Sequence, residues 1–197
     1  MTIRCLLWDF GDTLCDERFI WGSGPEWMAI YDTFDDGIGE RWCTDELDTA
    51  RFADELSNRM ERPTAEIIAH MVERSTNHIH FFDYTYGYFR AKKLPQAIVT
   101  VNPDLFSEVI APAHDLAAVC DTIVTSWEAH TVDKSILCSL AIDRMPIDLE
   151  PHEALLIDNK QANVDAWIAV GGAGYLYSSD SVFRRDVENG AIGIPQA

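Results

Sequence analysis

The chain has 197 residues, of which 47% are hydrophobic and 24% charged, values typical of a folded protein with a sizeable core. Its 15 Lys and Arg residues against 33 Asp and Glu residues give a net charge of −18, which repels nucleic-acid phosphates and anionic membranes. We therefore expect neither nucleic acid nor membrane as a partner, and a phosphate site would depend on local cations, a metal or backbone N–H groups.

Targeting signals and cysteine usage point to the cytoplasm. No run of about 18 apolar residues occurs, so no membrane span is expected. Asp9 and Asp12 interrupt the first apolar run, which excludes the pattern of a signal peptide. The 5 cysteines are odd in number and irregularly spaced, which favours reduced, buried thiols.

The first predicted element is a buried strand over residues 3–9. It is apolar apart from Arg4, ends at Asp9, and is too short for a typical helix. A polar loop follows from Asp12. A strand that ends in a carboxylate beside a loop is a candidate position for a functional group.

The next part of the chain, about residues 25–90, has the spacing of helices. Thr44 is predicted to cap the N-terminus of one amphipathic helix, and Pro63 to open another. A third helix is predicted over residues 81–89. We expect the aromatic side chains of this region to pack in the core or against it: Trp27, Trp42, Phe81, Phe82, Tyr84, Tyr86 and Tyr88.

Strand and helix signals alternate over the rest of the chain. Strands are predicted at residues 97–100, 120–125, 154–158 and 175–177, and helices at 103–116, 134–144 and 161–170. Repeated strand–helix units imply a parallel sheet covered by helices on both faces. The predicted fold is therefore α/β: a three-layer, Rossmann-like parallel sheet core with an inserted all-helical cap after the first strand.

Polar residues stand at the ends of the apolar runs. Asp9, Thr100 and Asp158 each end a predicted strand, and Lys134 opens a predicted helix. Ligands of such sheets gather beyond the carboxyl ends of the strands. Two carboxylates, a hydroxyl and an ammonium group at one edge are the groups that a phosphoryl-handling site needs.

These segments resemble, in order, the four motifs of the haloacid dehalogenase-like (HAD) hydrolase superfamily. Residues 6–14 resemble the first motif, usually written DxDGT, and residues 98–100 the second. Lys134, preceded by the pair Thr125-Ser126, resembles the third, and residues 155–159 with Asn163 the fourth. The match extends over residues 3–177.

The resemblance also implies a division into domains. It places the core at residues 1–14 and 92–197 and a helical cap at residues 15–91. Receiver domains use a similar set of Asp, Thr and Lys, but their aspartates precede the other two residues. Here Asp158 follows Lys134, so the order excludes a receiver.

The resemblance assigns catalytic roles to three residues. Asp9 would attack phosphorus and form an aspartyl-phosphate that water then cleaves. Thr100 would donate a hydrogen bond to a phosphoryl oxygen. Lys134 would hold Asp9 ionised and neutralise developing charge. The implied substrate is a small phosphorylated molecule, and the implied protein is a monomer or homodimer.

The resemblance further implies a bound Mg²⁺ ion as cofactor. Asp9, Asp158 and the backbone carbonyl of Gly11 would be its ligands, since Mg²⁺ prefers oxygen. Asn159 and Asn163 would hold the water molecules around the ion.

Gly11 departs from the family pattern. Family phosphatases have a second Asp at this position, two residues after the nucleophile, which protonates the leaving oxygen and later activates water. Such proton transfer contributes about 10²- to 10⁴-fold in rate, and glycine supplies none of it. Asp12, one residue further on, is a candidate substitute.

Three functions therefore stay open. The first is a Mg²⁺-dependent phosphatase, the second a HAD hydrolase of another kind, and the third a weak or inactive binding protein. A dehalogenase needs no leaving-group proton, but it also needs no Mg²⁺, so the presence of Asp158 argues against it. Phosphonate hydrolysis in the family uses a cap lysine, and residues 25–90 contain none.

Arg18 and Trp21 are candidate substrate contacts, and no histidine is given a role.

Overall fold

Five short strands form one parallel sheet in the computed structural model of the chain, which describes residues 2–20, 24 and 27–196. They are β1 (Cys5–Trp8), β2 (Gln96–Thr100), β3 (Thr122–Thr125), β4 (Ala154–Asp158) and β5 (Ala173–Leu176). Their order across the sheet is β3-β2-β1-β4-β5. Every predicted strand is present, and β4 has the predicted bounds.

Alternate side chains of the central strands enter two separate cores. Leu6 and Trp8 of β1 point to one core, whereas Cys5 and Leu7 point to the other, because successive side chains of a strand face opposite ways. Both sets are fully buried, which explains why β1 is a continuous apolar run and shows no alternation with polar residues.

Helices cover both faces of the sheet. The helices after β2 are α6 (Ala111–Ala113), α7 (Leu116–Val119), α8 (Ser126–Ala129), α9 (Lys134–Asp143), α10 (Gln161–Ala169) and α11 (Asp180–Glu188). Side chains of α9 and α10 fill one core, and α11 contributes to the other. The three-layer α/β prediction is therefore confirmed.

In the described part of the chain, five further α-helices lie between β1 and β2. They are α1 (Met28–Asp32), α2 (Ile38–Cys43), α3 (Thr49–Met60), α4 (Thr64–Asn77) and α5 (Asp83–Ala91). We call residues 27–91 the helical insert. Its buried side chains share one core with the sheet, to which α5 contributes Tyr88 and Phe89. The division into core and cap domains stays a prediction.

Two predicted helix starts in the insert are wrong. Thr44 follows the last residue of α2, and its hydroxyl donates to the Glu40 carbonyl oxygen. The cap of α3 is Asp48, whose carboxylate accepts a hydrogen bond from Arg51 N at 2.8 Å. Pro63 stands one residue before α4, not inside it. Thr and Asp both favour N-caps, so the sequence alone did not choose between two caps four residues apart.

Two further differences lie after β2. The single helix predicted at 103–116 is broken: a π-helical turn over Phe106–Ile110 leads into α6, and Asp115 then adopts a positive φ of 51°. The helix α11 was not predicted. α10 is followed by Gly171, which has a φ of 97°, the left-handed conformation that commonly ends a helix.

The aromatic and cysteine predictions are confirmed for the residues concerned. Trp42 is fully buried and stacks on Phe52 with ring centroids 3.9 Å apart, and the other aromatic residues named above are buried in the core or pack against it. All 5 cysteines are buried with free thiols. Burial raises the pKa of Cys43 to about 12 and that of Cys120 to about 11. Within the described ranges, no helix is long and apolar enough to cross a membrane.

Candidate active site

The candidate site lies where the strand order reverses. β1 pairs with β2 on one side and with β4 on the other, so the chain leaves neighbouring strands in opposite directions and opens a crevice at their carboxyl ends. Asp9, Thr100 and Asp158 stand at the ends of these three strands and are all buried. The sheet therefore brings together the three polar residues predicted to end strands.

Lys134 joins the two carboxylates. Its Nζ donates hydrogen bonds to Asp9 Oδ1 at 2.7 Å and to the Val99 carbonyl oxygen at 2.8 Å, and it forms an ion pair with Asp158 Oδ2 at 3.0 Å. Lys134 is 2% exposed, so these contacts lie in a medium where charges interact strongly.

The start of α9 holds Lys134 in place. The Asp133 carboxylate caps this helix and accepts hydrogen bonds from Ser135 N at 2.9 Å and from the Ser135 hydroxyl at 2.6 Å. The hydrogen bond from the Ser135 hydroxyl lowers the pKa of Asp133 below its ordinary value. A well-capped first turn gives the lysine a rigid backbone.

Burial and charge oppose each other at this cluster. Burial alone lowers the pKa of the Lys134 ammonium, but the two carboxylates outweigh it and raise the pKa above its ordinary value. Burial raises the pKa of Asp9, and the Lys134 ammonium acts in the opposite direction. Two carboxylates share one ammonium group, so the cluster has more negative than positive charge.

The loop after β4 surrounds the Asp158 carboxylate with donors. Asn163 Nδ2 donates to Oδ1 at 3.1 Å and to Oδ2 at 3.0 Å, and Lys160 N donates to Oδ1 at 2.8 Å. Asn163 therefore contacts Asp158 directly. The neighbouring Asn159 has a buried Oδ1 with no hydrogen-bond partner in the described part of the chain.

Thr100 is held by the residue two positions further on. Asn102 Nδ2 donates to Thr100 Oγ1 at 2.6 Å. Because the hydroxyl oxygen accepts this bond, its own proton is available to donate to a ligand. Asn102 N in turn donates to Ser126 Oγ at 3.0 Å, and that hydroxyl donates to the Cys43 carbonyl oxygen at 2.7 Å. The predicted Thr125-Ser126 pair thus links the site to the helical insert.

The loop after Asp9 turns back on itself. Asp12 N donates to the Cys15 carbonyl oxygen at 2.7 Å, and Asp12 has a positive φ of 53°. Its carboxylate accepts a hydrogen bond from Glu17 N at 3.0 Å. Asp12, a predicted substitute acid, therefore fixes the start of the short 3₁₀ turn Glu17–Phe19.

Glu17 is a residue of this site that the sequence did not indicate. A β-carbon built on Gly11 would lie 3.2 Å from both Cγ and Cδ of Glu17, so the glutamate side chain lies directly against the glycine. Burial raises the pKa of the Glu17 carboxyl, and the Lys160 ammonium opposes this shift. Nothing in the spacing of these two residues predicts the contact, because it depends on the turn between them.

A cavity of about 880 Å³ lies between the sheet edge and the insert. Polar residues of the site line its floor, including Asp9, Thr100 and Lys134. Its other walls are mainly apolar: Phe10, Phe19, Ile20, Met28, Tyr31, Phe34, Trp42, Val101, Pro103 and Val132. The cavity thus has one charged end and one apolar end, as small-molecule sites commonly do.

The two predicted substrate contacts have different outcomes. Arg18 lines the cavity, but its guanidinium pairs with the Asp16 carboxylate at 2.5 Å and is mostly exposed. Trp21 lies outside the described residues.

The residues present fit a Mg²⁺ ion. Within the described ranges, the Gly11 carbonyl oxygen accepts no hydrogen bond, and Asn159 Oδ1 is orphaned. These are the hard oxygen atoms that Mg²⁺ binds, beside a cluster with excess negative charge. The described residues contain no group of three or more His, Cys, Asp or Glu side chains arranged for a metal, so backbone, amide and water oxygens would complete the shell.

Known proteins resemble the chain through its fold. No family model and no curated protein matches its sequence. A HAD family enzyme from Bacteroides thetaiotaomicron, solved in complex with magnesium and inorganic phosphate, has a TM-score of 0.67 at 15% identity, with 90% of this chain and 95% of that chain covered. A predicted HAD-like family hydrolase from Porphyromonas gingivalis has a TM-score of 0.68 at 15% identity, with 94% and 98% covered.

A third solved structure is that of a dehalogenase. The L-2-haloacid dehalogenase from Xanthobacter autotrophicus, with chloropropionic acid covalently bound, has a TM-score of 0.66 at 13% identity, with 97% of this chain and 84% of that chain covered. At such low identity these likenesses establish the architecture. The resemblance in the sequence motifs is confirmed at that level: the chain has the fold of the haloacid dehalogenase-like hydrolase superfamily.

Proposed function

We propose that the protein is a Mg²⁺-dependent phosphatase of small phosphate monoesters. The observation that carries this proposal is the Lys134 ammonium group, which lies at the floor of the cavity beside Asp9 and joins the buried carboxylates of Asp9 and Asp158. An acidic protein needs such a local cation to hold a phosphate group.

Asp9 is the proposed nucleophile. Its Oδ1 is held by Lys134, which leaves Oδ2 to attack phosphorus in line. A carboxylate that attacks phosphorus forms an aspartyl-phosphate, which water then cleaves. The Thr100 hydroxyl proton and the Lys134 ammonium would stabilise negative charge on the phosphoryl oxygens.

Asp9, Asp158 and the carbonyl oxygen of Gly11 would hold the Mg²⁺ ion, with Asn159 Oδ1 as an additional acceptor at its edge. The bound ion supplies positive charge that offsets the negative charge of the phosphoryl group. Asn163 orients Asp158 by donating to both of its oxygens. The B. thetaiotaomicron neighbour, solved with magnesium and inorganic phosphate, supports this choice of ion.

The apolar end of the cavity points to the organic part of the substrate. Met28, Phe34 and Val132 each line the cavity and are each more than a third exposed. Exposed apolar side chains that border a polar floor are typical of a ligand-binding surface. We propose an apolar organic group on the phosphate ester, recognised by the helical insert acting as a cap.

A dehalogenase is the alternative that a specific observation favours. Gly11 provides no carboxyl group of its own, and a halide leaves without a proton. The X. autotrophicus neighbour is an L-2-haloacid dehalogenase, which supports this alternative. A scaffold with little or no catalysis is the third alternative, because the acid expected at position 11 is missing.

One pair of assays separates these functions. We expect the wild-type chain to release phosphate from an aryl phosphate only with Mg²⁺, and Asp9→Asn, which keeps the size of the side chain, to lose at least about 100-fold in rate. Chloride release from 2-chloropropionate without Mg²⁺ would favour the dehalogenase. If neither phosphate nor chloride is released above the Asp9→Asn background, the scaffold is favoured.

A further inference from the structure

Gly11 leaves a space beside the nucleophile that another side chain occupies. A β-carbon on Gly11 would lie 3.2 Å from Glu17 Cγ and Cδ and 3.4 Å from Glu17 Cβ. Real β-carbons rarely approach other atoms so closely, so a side chain at position 11 and the present Glu17 side chain compete for one volume. The glutamate thus lies where the missing aspartate would begin.

The Glu17 carboxylate has no other role in the described structure. Within residues 2–20, 24 and 27–196, no N–H or O–H donates to it and no cation lies within ion-pair distance; the Lys160 ammonium acts on it from farther away. The other acidic residues of this loop are engaged: Asp12 caps the Glu17 backbone, and Asp16 pairs with Arg18. A half-buried carboxyl group that lines the cavity without a structural partner is available for chemistry.

The loop also fixes where this carboxyl group lies. Asp12 accepts from Glu17 N at 3.0 Å, and Asp16 accepts from Arg18 N at 3.0 Å, so two carboxylates hold the start of the turn. Asp16 N donates to the His80 carbonyl oxygen at 3.0 Å, which ties the turn to the insert. The side chain of Glu17 is therefore presented by a backbone with defined geometry.

We propose that Glu17 is the proton-transfer residue of the reaction and replaces the aspartate that Gly11 lacks. The assignment rests on the proposed phosphatase function and deepens it. In the first step, Asp9 Oδ2 bonds to phosphorus, the bond from phosphorus to the leaving oxygen breaks, and the Glu17 carboxyl proton passes to that oxygen. In the second step, the Glu17 carboxylate takes a proton from water, whose oxygen bonds to phosphorus and releases Asp9 and inorganic phosphate.

The test compares leaving groups in single turnovers. An alkyl phosphate needs a proton on its leaving oxygen, whereas an activated aryl phosphate does not. We expect Glu17→Gln to slow alkyl ester cleavage about 100-fold or more and the aryl step less than about 5-fold. Glu40→Gln, the same change at an exposed residue outside the cavity, serves as the matched control.

A rescue experiment separates chemistry from structure. In the Glu17→Ala background, Gly11→Asp should restore alkyl ester cleavage at least about 10-fold, because the volume is then free. In the wild-type background, Gly11→Asp should give no such gain, because Glu17 Cδ stands 3.2 Å from the new β-carbon.

Several results would overturn the assignment. Among them are an equal loss on alkyl and aryl esters in Glu17→Gln, no rescue by Gly11→Asp in a folded Glu17→Ala protein, and a larger leaving-group effect for Asp12→Asn than for Glu17→Gln. A wild-type chain that cleaves no ester above Asp9→Asn would overturn both this assignment and the phosphatase itself. Cleavage by the wild type that is unchanged in Glu17→Gln would remove the assignment alone.

Discussion

Thr49 donates two hydrogen bonds to Asp104, one from its backbone N–H to Oδ2 at 2.8 Å and one from its hydroxyl to Oδ1 at 2.6 Å. Trp42 Nε1 donates to Asp104 Oδ1 as well, at 3.2 Å. Asp104 follows β2, whereas Thr49 and Trp42 belong to the helical insert. One buried carboxylate thus connects the insert to the sheet beside the cavity.

We therefore expect Asp104→Ala to destabilise the protein. The substitution leaves the backbone N–H and the hydroxyl of Thr49 without their buried acceptor, and each such donor costs about 1–3 kcal/mol. Trp42 Nε1 keeps Thr49 Oγ1 as an acceptor at 3.2 Å. The free energy of unfolding in urea measures the loss. Asp32→Asn, at an exposed position of α1, is the control and should change stability by less than about 0.5 kcal/mol. Equal stability of Asp104→Ala and wild type would show that the link contributes nothing.

Removal of the Lys134 ammonium group should destabilise the fold through the carboxylates that it neutralises. Lys134→Met leaves Asp9 and Asp158 buried beside each other, and an unpaired buried charge costs about 3–5 kcal/mol. Adding Asp9→Asn removes one of the two charges, so the double variant should recover at least about 1 kcal/mol relative to Lys134→Met. Urea unfolding without metal measures both. Additive losses would contradict this coupling.

The cap of α9 makes a prediction about pH. Asp133 has a lowered pKa in the fold, so its stabilisation is present at neutral pH and is lost as the pH falls through that lowered value. Asp133→Ala should cost about 1 kcal/mol at pH 7, and the difference from wild type should shrink below about pH 4. Asp133→Asn also caps a helix but does not titrate, so its difference from wild type should be small at neutral pH. A constant penalty for Asp133→Ala at all pH values would argue against the assigned cap.

The exposed ring of Phe34 should select the organic part of the substrate. We expect Phe34→Ala to raise KM about 10-fold for an aryl ester, equivalent to about 1.4 kcal/mol of lost binding, with kcat nearly unchanged. The control ester is methyl phosphate, which has almost no apolar group to bind and should be affected little. An equal rise in KM for both esters would show that Phe34 acts on the fold and not on recognition.

The sequence predicted the parts of the site that depend on the sheet. A short apolar run that ends in one polar residue is sufficient to place Asp158 at a strand end, because a parallel strand buried on both faces has no other polar position. The order of the residues then brings Lys134 to the same edge. These features are local in the chain or follow from strand pairing.

The features that the sequence did not predict depend on tertiary contacts. Glu17 reaches Gly11 only because Asp12 adopts a positive φ and the loop turns back. The break at Asp115 likewise involves a left-handed residue that no glycine marks. Thr44 and Asp48 are equally good caps by residue type, and packing of α3 decided between them. Propensity is a weak guide wherever the surrounding structure determines the backbone.

Glu17 lies on the loop that leads into the insert, and this position affects which properties can change together between related chains. An acidic residue two positions after the nucleophile lies beside the sheet, so changes in the sequence of the insert would not remove it. Here the same short segment carries Glu17 together with Phe19 and Ile20, which line the apolar wall. Exchange of this segment between related chains would therefore change the proposed acid and part of the apolar wall in one event.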